Sequence, residues 1–91
     1  MVVSDKPYSE NKKNNKTIRV FNESVNSDEL VWHRDKKDRL VEVIESKGWM
    51  FQLDDEYPVE LKCGDTFFIP MNIYHRVIKG KGNLIISFTE S

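Results

Sequence analysis

Between residues 64 and 75 the chain reads Gly64-Asp-Thr-Phe-Phe-Ile-Pro70-Met-Asn72-Ile-Tyr-His75. The glycine suits a turn, and residues 66–69 after it are all β-branched or aromatic, as strands favour. Pro70 ends regular pairing, and Asn72 suits the next turn because asparagine tolerates a positive φ better than other non-glycine residues. A second strand-like run covers 74–79 and contains His75. The stretch therefore predicts two short strands joined by a tight turn, with a histidine beside it.

Similar short runs fill most of the chain around this stretch. They are rich in Val, Ile, Phe, Tyr and Trp and are broken by turn residues every several positions. No segment combines helical spacing with helix caps. The predicted strands are 30–35, 39–46, 48–54, 66–69, 74–79 and 83–89. This spacing predicts an all-β sandwich or barrel, with the barrel mouth as the default place for a small-molecule pocket.

The N-terminal part has a different composition. Residues 6–16 read KPYSENKKNNK and contain few apolar side chains to offset the entropy cost of ordering. We therefore expect a flexible N-terminal tail over residues 1–17 and one folded domain over residues 18–91.

Composition excludes several classes of function. The 91 residues are enough for one domain with a modest core. The 14 Lys and Arg are balanced by 15 Asp and Glu, so no broad positive field attracts nucleic acid or an anionic membrane. Cys63 has no second cysteine to pair with, and no apolar run approaches the roughly 20 residues that span a bilayer. We expect a soluble, cytoplasmic protein with no nucleic-acid or membrane partner.

A polar cluster is predicted on the strand 30–35 and the residues that follow it. His33 and Asp35 share one face of the strand 30–35, because side chains alternate. If residues 36–38 form a three-residue hairpin loop, Arg39 lies across from Asp35 and Val41 lies across from His33. The simplest interpretation is an ion pair between Asp35 and Arg39 that holds the hairpin register, worth ~0.2–1 kcal/mol if exposed.

The stretch from Gly64 to His75 resembles the second motif of the cupin family: a glycine, five residues, a proline, one residue, a glycine, two residues and a histidine. The chain has Gly64, Pro70 and His75 at these spacings, and Asn72 replaces the internal glycine. The resemblance implies a single-domain jelly-roll barrel, the cupin-type double-stranded β-helix.

The first cupin motif is similar in spacing but altered in chemistry. Laid on this chain, it places His33 at the first histidine, Asp35 at the second, Arg39 at the glutamate and Ser46 at the glycine. The run from Trp32 to Arg39 also looks like that of small single-domain cupins of marine bacteriophages and bacteria. In the family, the histidines and the glutamate hold a divalent metal.

The resemblance leaves two hypotheses for the site. In the first, His33, Asp35 and His75 hold a divalent ion such as Fe, Mn, Zn or Ni, as in a metal-dependent oxygenase or isomerase. Arg39 opposes this, because a permanent cation repels the metal and competes for Asp35. In the second, the pocket is metal-free. Arg39 then binds the carboxylate or phosphate of a small anionic ligand, with His33 or His75 as a hydrogen-bonding or acid–base partner. Neither hypothesis assigns a catalytic residue.

A third hypothesis needs no chemistry: a non-catalytic accessory module that forms a homodimer. Leu40 and Ile44 alternate opposite to Val41 and Val43, so this strand is apolar on both faces. A sheet with two apolar faces often buries the outer one against a second copy. The pattern therefore predicts a homodimer.

Overall fold

The computed structural model describes residues 6–91 and contains eight strands in two antiparallel sheets. The strands are β1 (Ser9–Lys13), β2 (Lys16–Phe21), β3 (Arg39–Lys47), β4 (Met50–Leu53), β5 (Val59–Glu60), β6 (Thr66–Ile69), β7 (His75–Ile78) and β8 (Lys81–Glu90). A single 3₁₀ turn covers Ser27–Glu29, and residues 6–91 form no α-helix. The predicted all-β fold class is confirmed. Over the same residues, no helix is long and apolar enough to cross a membrane.

The larger sheet has the order β1-β2-β8-β3-β6, and the smaller one has the order β5-β4-β7. The long strand β8 is central, because it pairs with β2 on one side and with β3 on the other. In the smaller sheet β7 pairs with β4. Strands distant in sequence are therefore neighbours, and this brings the histidine of β7 close to the start of β3.

The core lies between the two sheets and follows from side-chain alternation. On β3, Val41 and Val43 are almost fully buried, whereas Leu40 and Ile44 are exposed on the opposite face. Trp49 has no exposed surface, and its indole Nε1 donates to the carbonyls of Lys81 and Gly82, both at 3.2 Å. Among the described residues, the buried hydrophobic side chains are Phe21, Val25, Val41, Val43, Trp49, Phe51, Leu61, Ile69, Leu84, Ile86 and Phe88.

The N-terminal region differs from the predicted tail over residues 1–17. Ser9–Lys13 forms β1 and pairs along its whole length with β2. All five side chains of β1 are exposed, so its sequence lacks the apolar alternation that predicts a strand. What holds it is the backbone ladder, an ion pair between Glu10 and Arg19, and Tyr8, whose ring centroid lies 5.3 Å from that of Phe21. The tail prediction for residues 1–5 lies outside the described residues.

The predicted strand 30–35 and its hairpin with β3 are wrong. Residues 30–32 and 34–35 are outside any strand, and His33 makes an isolated antiparallel bridge to His75. Strand β3 instead pairs with β6 and β8, so Val41 lies across from Phe67 and Phe88 rather than His33. Local alternation allowed a strand here, but the partner was a distant segment that alternation cannot identify.

Candidate metal centre

His75 lies at the start of β7, directly after the turn that contains Asn72. Asn72 has a φ of 63°, the left-handed conformation expected from the sequence. His75 pairs with Leu53 of β4 and points into the core, where it is 3% exposed. Its Nδ1 lies 2.9 Å from the carbonyl oxygen of Ile73. Because a carbonyl only accepts, Nδ1 carries the proton in the neutral ring, and Nε2 keeps a free electron pair.

His33 is held beside His75 by the backbone. The amide of each residue donates to the carbonyl of the other, at 3.0 and 2.8 Å. The two imidazole centroids are 4.3 Å apart, with an interplanar angle of 67°. His33 Nδ1 lies 3.2 Å from the carbonyl oxygen of Val31, so its Nε2 is also the unprotonated nitrogen of the neutral ring. Both histidines are thus oriented by a carbonyl two residues upstream, an arrangement common in metal-ligating histidines.

Asp35 supplies a buried carboxylate oxygen to the same place. Its backbone carbonyl accepts from the amide of Asn72 at 2.7 Å, which ties this segment to the turn before β7. Its Oδ2 lies 3.3 Å from His75 Nε2 and 3.2 Å from Arg39 Nη1. Neither approach has hydrogen-bond geometry, so within the described part of the chain this buried oxygen accepts no hydrogen bond. A buried charged oxygen without such a bond is costly.

Arg39 begins β3 and points toward the interior. Its Nε donates to Glu90 Oε2 at 2.9 Å, and Glu90 is its cross-strand partner on β8. The guanidinium carbon lies 4.4 Å from the ring centroid of Phe88. Arg39 is thus fixed by two carboxylates and an aromatic ring, and its charge is neutralised beside the histidines.

The pKa values of His75 and Glu90 are shifted by their surroundings in the site. Burial lowers the pKa of His75 below its ordinary 6.5, and this outweighs the opposing effects of the Ile73 carbonyl and of Asp35. The hydrogen bond from Arg39 lowers the pKa of Glu90 below its ordinary 4.5. At neutral pH we therefore take His75 as neutral, so an unprotonated nitrogen faces the Asp35 carboxylate.

His33, Asp35 and His75 form what we call the His-Asp-His group. One donor atom from each lies within 4.8 Å of the others. Neighbouring ligands of one ion, each at about 2.1 Å, are about 3.0–3.4 Å apart in octahedral or tetrahedral geometry. The 3.3 Å between Asp35 Oδ2 and His75 Nε2 already fits this spacing, and the widest pair of the group has to close by about 1.5 Å. Two imidazoles and a carboxylate suit divalent transition metals, with positions left open. The residues present therefore fit a mononuclear metal.

The structure brings together all four site residues predicted from the sequence. Asp35 and Arg39 are in contact, as predicted, but through a turn and not across a hairpin. His33 and His75, predicted on separate strands, are paired directly. The roles of these residues as metal or ligand contacts stay predictions.

Two charged residues near the site were missed by the sequence analysis. Arg19 is 7% exposed, pairs with Glu10, and lies 3.8 Å from the Tyr8 ring centroid and 4.8 Å from that of Phe88. Glu90 is the carboxylate that neutralises Arg39. Side-chain alternation could have placed both on the inner face of their strands, because Arg19 shares a face with the apolar Phe21 and Glu90 shares one with Phe88.

A small cavity opens in front of the His-Asp-His group. Its volume is about 40 Å³, enough for about three water molecules. His33, His75, Arg19 and Arg39 contribute the polar part of its lining, and the rest is apolar. The cavity joins the two histidines to both interior arginines.

Comparison with known proteins supports the fold at low sequence identity. Neither a protein-family model nor a curated protein matches the chain. Among solved structures, a cupin-2 domain containing protein from Shewanella frigidimarina is 20% identical with a TM-score of 0.65, covering 91% of this chain and 80% of that one. An RmlC-like cupin from the same organism is 17% identical with a TM-score of 0.68, covering 91% and 73%.

The chain has the cupin fold. A third similar structure is HppE with Co(II), in complex with Tris buffer, which is 13% identical with a TM-score of 0.75. The match covers all of this chain but 57% of HppE, and a match to a structure of DMSP lyases covers 36% of that chain. At these identities the similarity shows the shared cupin architecture alone, so the function has to be argued from the site.

Proposed function

We propose that this cupin binds one divalent metal ion through His33, Asp35 and His75. In this proposal, the metal and the neighbouring Arg39 together hold a small anionic ligand at the barrel mouth. HppE, which shares the fold, has been crystallised with Fe(II) and with Co(II), and this supports a metal in a barrel of this kind.

One observation carries the proposal: a potential ligand atom from each of His33, Asp35 and His75 lies within 4.8 Å of the other two. In each histidine Nδ1 faces a carbonyl oxygen, so Nε2 is the unprotonated nitrogen of the neutral ring, and burial lowers the pKa of His75. Asp35 Oδ2 is buried, accepts no hydrogen bond, and lies 3.3 Å from His75 Nε2. Two acceptors at this distance repel each other unless a cation lies between them. A divalent ion satisfies all three donors together.

The charge balance of the site favours an anionic ligand once the metal is bound. Asp35 and Glu90 are negative and Arg39 is positive, so their sum with neutral histidines is −1. The pair of Arg19 and Glu10 adds nothing to this sum. A divalent ion changes the total to +1, which a monoanion would neutralise. The metal, when bound, would act as a Lewis acid toward that ligand, while Arg39 would orient a carboxylate or phosphate through its fork of donors.

A metal-free anion site is the second candidate, because Arg39 already reaches Asp35 Oδ2 at 3.2 Å. In that case Arg39 itself is the cation that Asp35 requires. The anion would then bind to Arg39 and the histidines, and its affinity would not change on addition of metal.

One titration separates the two candidates. The protein is treated with a chelator, dialysed, and titrated anaerobically with Co(II), Mn(II), Fe(II), Zn(II) and Ni(II) by calorimetry, and acetate is then added to the metal-free and metal-loaded forms. We expect one equivalent of metal and acetate binding that requires it. The variant Asp35→Asn should lose both, whereas Asp54→Asn, on the exposed turn after β4, should lose neither. Acetate binding that is independent of metal and lost in Arg39→Gln would support the metal-free site instead.

We also propose that the protein is a homodimer through the outer face of the larger sheet. Leu40 and Ile44 are 56% and 42% exposed on this face, and Phe68, across from Leu40 on β6, is 52% exposed. Light scattering of the wild type and of Leu40→Asp tests this. A dimer that becomes a folded monomer in the variant supports the proposal, and a monomeric wild type contradicts it.

A further inference from the structure

A groove next to the His-Asp-His group has no role in the proposed function so far. Its volume is about 290 Å³, several times that of the cavity in front of the metal ligands. It runs between the N-terminal segment and the loop before His33. Most of its wall is apolar and is formed by Tyr8, Phe21, Leu30, Val31 and Val77. Lys6, Glu29 and His33 are its charged or polar lining residues.

The groove and the cavity share part of their lining. Phe21, His33 and Val77 contribute to both spaces. A ligand in the groove therefore contacts the same imidazole that belongs to the His-Asp-His group. The cavity itself holds about three water-sized groups, so it accommodates the charged head of a ligand and little more. Any larger body has to extend elsewhere, and the groove is an adjoining apolar space that shares the metal-ligand candidate His33 with the cavity.

We infer that the ligand is an amphipathic monoanion, with its charged head at the metal and Arg39 and an apolar body in the groove. This inference rests on the proposed function and adds the substrate class to it. The +1 charge of the metal-loaded site predicts the anionic head of the ligand. The apolar wall of the groove predicts its apolar body. A cavity of about 150 Å³ accommodates a six-carbon ring, so the groove has room for a body on the order of ten carbon atoms.

Exposure of the groove wall agrees with an apolar occupant. Val31 is 61% exposed, although 32% of the residues of this chain are charged and the surface has ample polar alternatives. Leu30 is half-buried and packs against the core, so it forms the floor of the groove rather than its rim. An apolar ligand body would remove the Val31 side chain from water, and this burial would contribute favourably to the free energy of binding.

A chain-length series tests the inference. The Co(II)-loaded protein is titrated with acetate, butyrate, hexanoate, octanoate and dodecanoate below their micelle-forming concentrations, and binding is followed by the cobalt absorption bands. We expect the affinity to rise roughly two- to fourfold per methylene, as for apolar surface that is largely buried, and to level off near ten carbons. Val31→Asn should flatten the rise with chain length, measured relative to acetate in the same variant because the Val31 carbonyl orients His33. Val59→Asn is the matched comparison, because Val59 is 62% exposed on β5 and lines a different apolar pocket of about 240 Å³. A rise that is lost in Val59→Asn instead would place the ligand body in that pocket.

The outcomes separate this inference from the proposed function. If acetate binds to the metal-loaded protein but affinity does not rise with chain length, the proposed function stands and the amphipathic ligand is wrong. A rise that Val31→Asn leaves unchanged also overturns the inference, because the body then lies outside the groove. If no metal binds, both the proposed function and the inference fail.

Discussion

Replacing His33 with alanine should remove metal-dependent stabilisation and leave the metal-free fold intact. His33 is exposed, and its link to His75 is a pair of backbone hydrogen bonds that any residue can make. The side chain contributes one hydrogen bond, to the carbonyl of Val31, and one edge contact with the His75 ring. We therefore expect the variant without metal to be within about 0.5 kcal/mol of the wild type, as for most surface substitutions.

Bound metal should stabilise the wild type more than the His33→Ala variant, and the difference in stability can be calculated. At a free metal concentration 100 times the dissociation constant, binding stabilises the wild type by about 2.7 kcal/mol. For a domain of 91 residues this raises the Tm by about 11–22 °C. Loss of a direct ligand should weaken binding at least as much as loss of an outer-shell partner, about 100-fold. At the same metal concentration the variant then gains about 0.4 kcal/mol, or about 2–3 °C.

Differential scanning fluorimetry of both proteins, with chelator and with Co(II) or Zn(II), measures these shifts. The control is Lys36→Ala, an exposed position on the same segment, which should keep the full wild-type shift. A His33→Ala variant that keeps the wild-type Tm shift on addition of metal would show that His33 is not a metal ligand. So would a wild type whose Tm does not respond to any divalent ion.

Three further predictions test the structure itself. Because burial lowers the pKa of folded His75, the unfolded chain binds more protons below pH 6.5. The free energy of unfolding of the metal-free protein, measured by urea denaturation, should therefore fall as the pH decreases through 6.5 toward that lowered pKa, by at most about 1.4 kcal/mol per pH unit. His75→Gln should abolish this slope. Asn72→Ala should cost about 1–2 kcal/mol in chemical denaturation because φ is positive there, whereas Asn72→Gly should cost no more than a few tenths; equal losses would exclude the left-handed turn. Trp49→Phe removes the donor to the Lys81 and Gly82 carbonyls and reduces the volume of a fully buried side chain. It should cost about 1–3 kcal/mol, so an unchanged midpoint would contradict the buried position of the indole.

Much of the fold could be predicted from local patterns. Strands β3, β4, β6, β7 and β8 fall within or close to predicted runs, because each combines β-branched or aromatic residues with turn residues at its ends. Strand β1 could not be predicted, since its stability comes from backbone pairing and from Tyr8 and Arg19, outside its own residues. Pairing partners were also beyond local reasoning, and this is why the hairpin before β3 was wrong.

The candidate site was predictable as a set of residues but not as a geometry. Spacing identified His33, Asp35 and His75, and the structure shows how they meet: two backbone hydrogen bonds join His33 to His75, and Asp35 follows on the same segment. Spacing predicted Arg39 beside Asp35, but not a second carboxylate for its charge. The structure pairs it with Glu90 across β3 and β8, a contact between residues 51 positions apart. Such a long-range partner depends on strand register, which one sequence does not specify.

The most direct test of the metal centre is elemental analysis of untagged protein purified without chelator and again after reconstitution with divalent ions. The variant that combines His33→Ala with Asp35→Asn is measured in parallel, after circular dichroism has shown that it is folded. We expect close to one equivalent of iron, manganese, cobalt, nickel or zinc per wild-type protein and none in the variant. A wild type without metal even after reconstitution, or a folded variant that keeps its metal, would contradict this expectation.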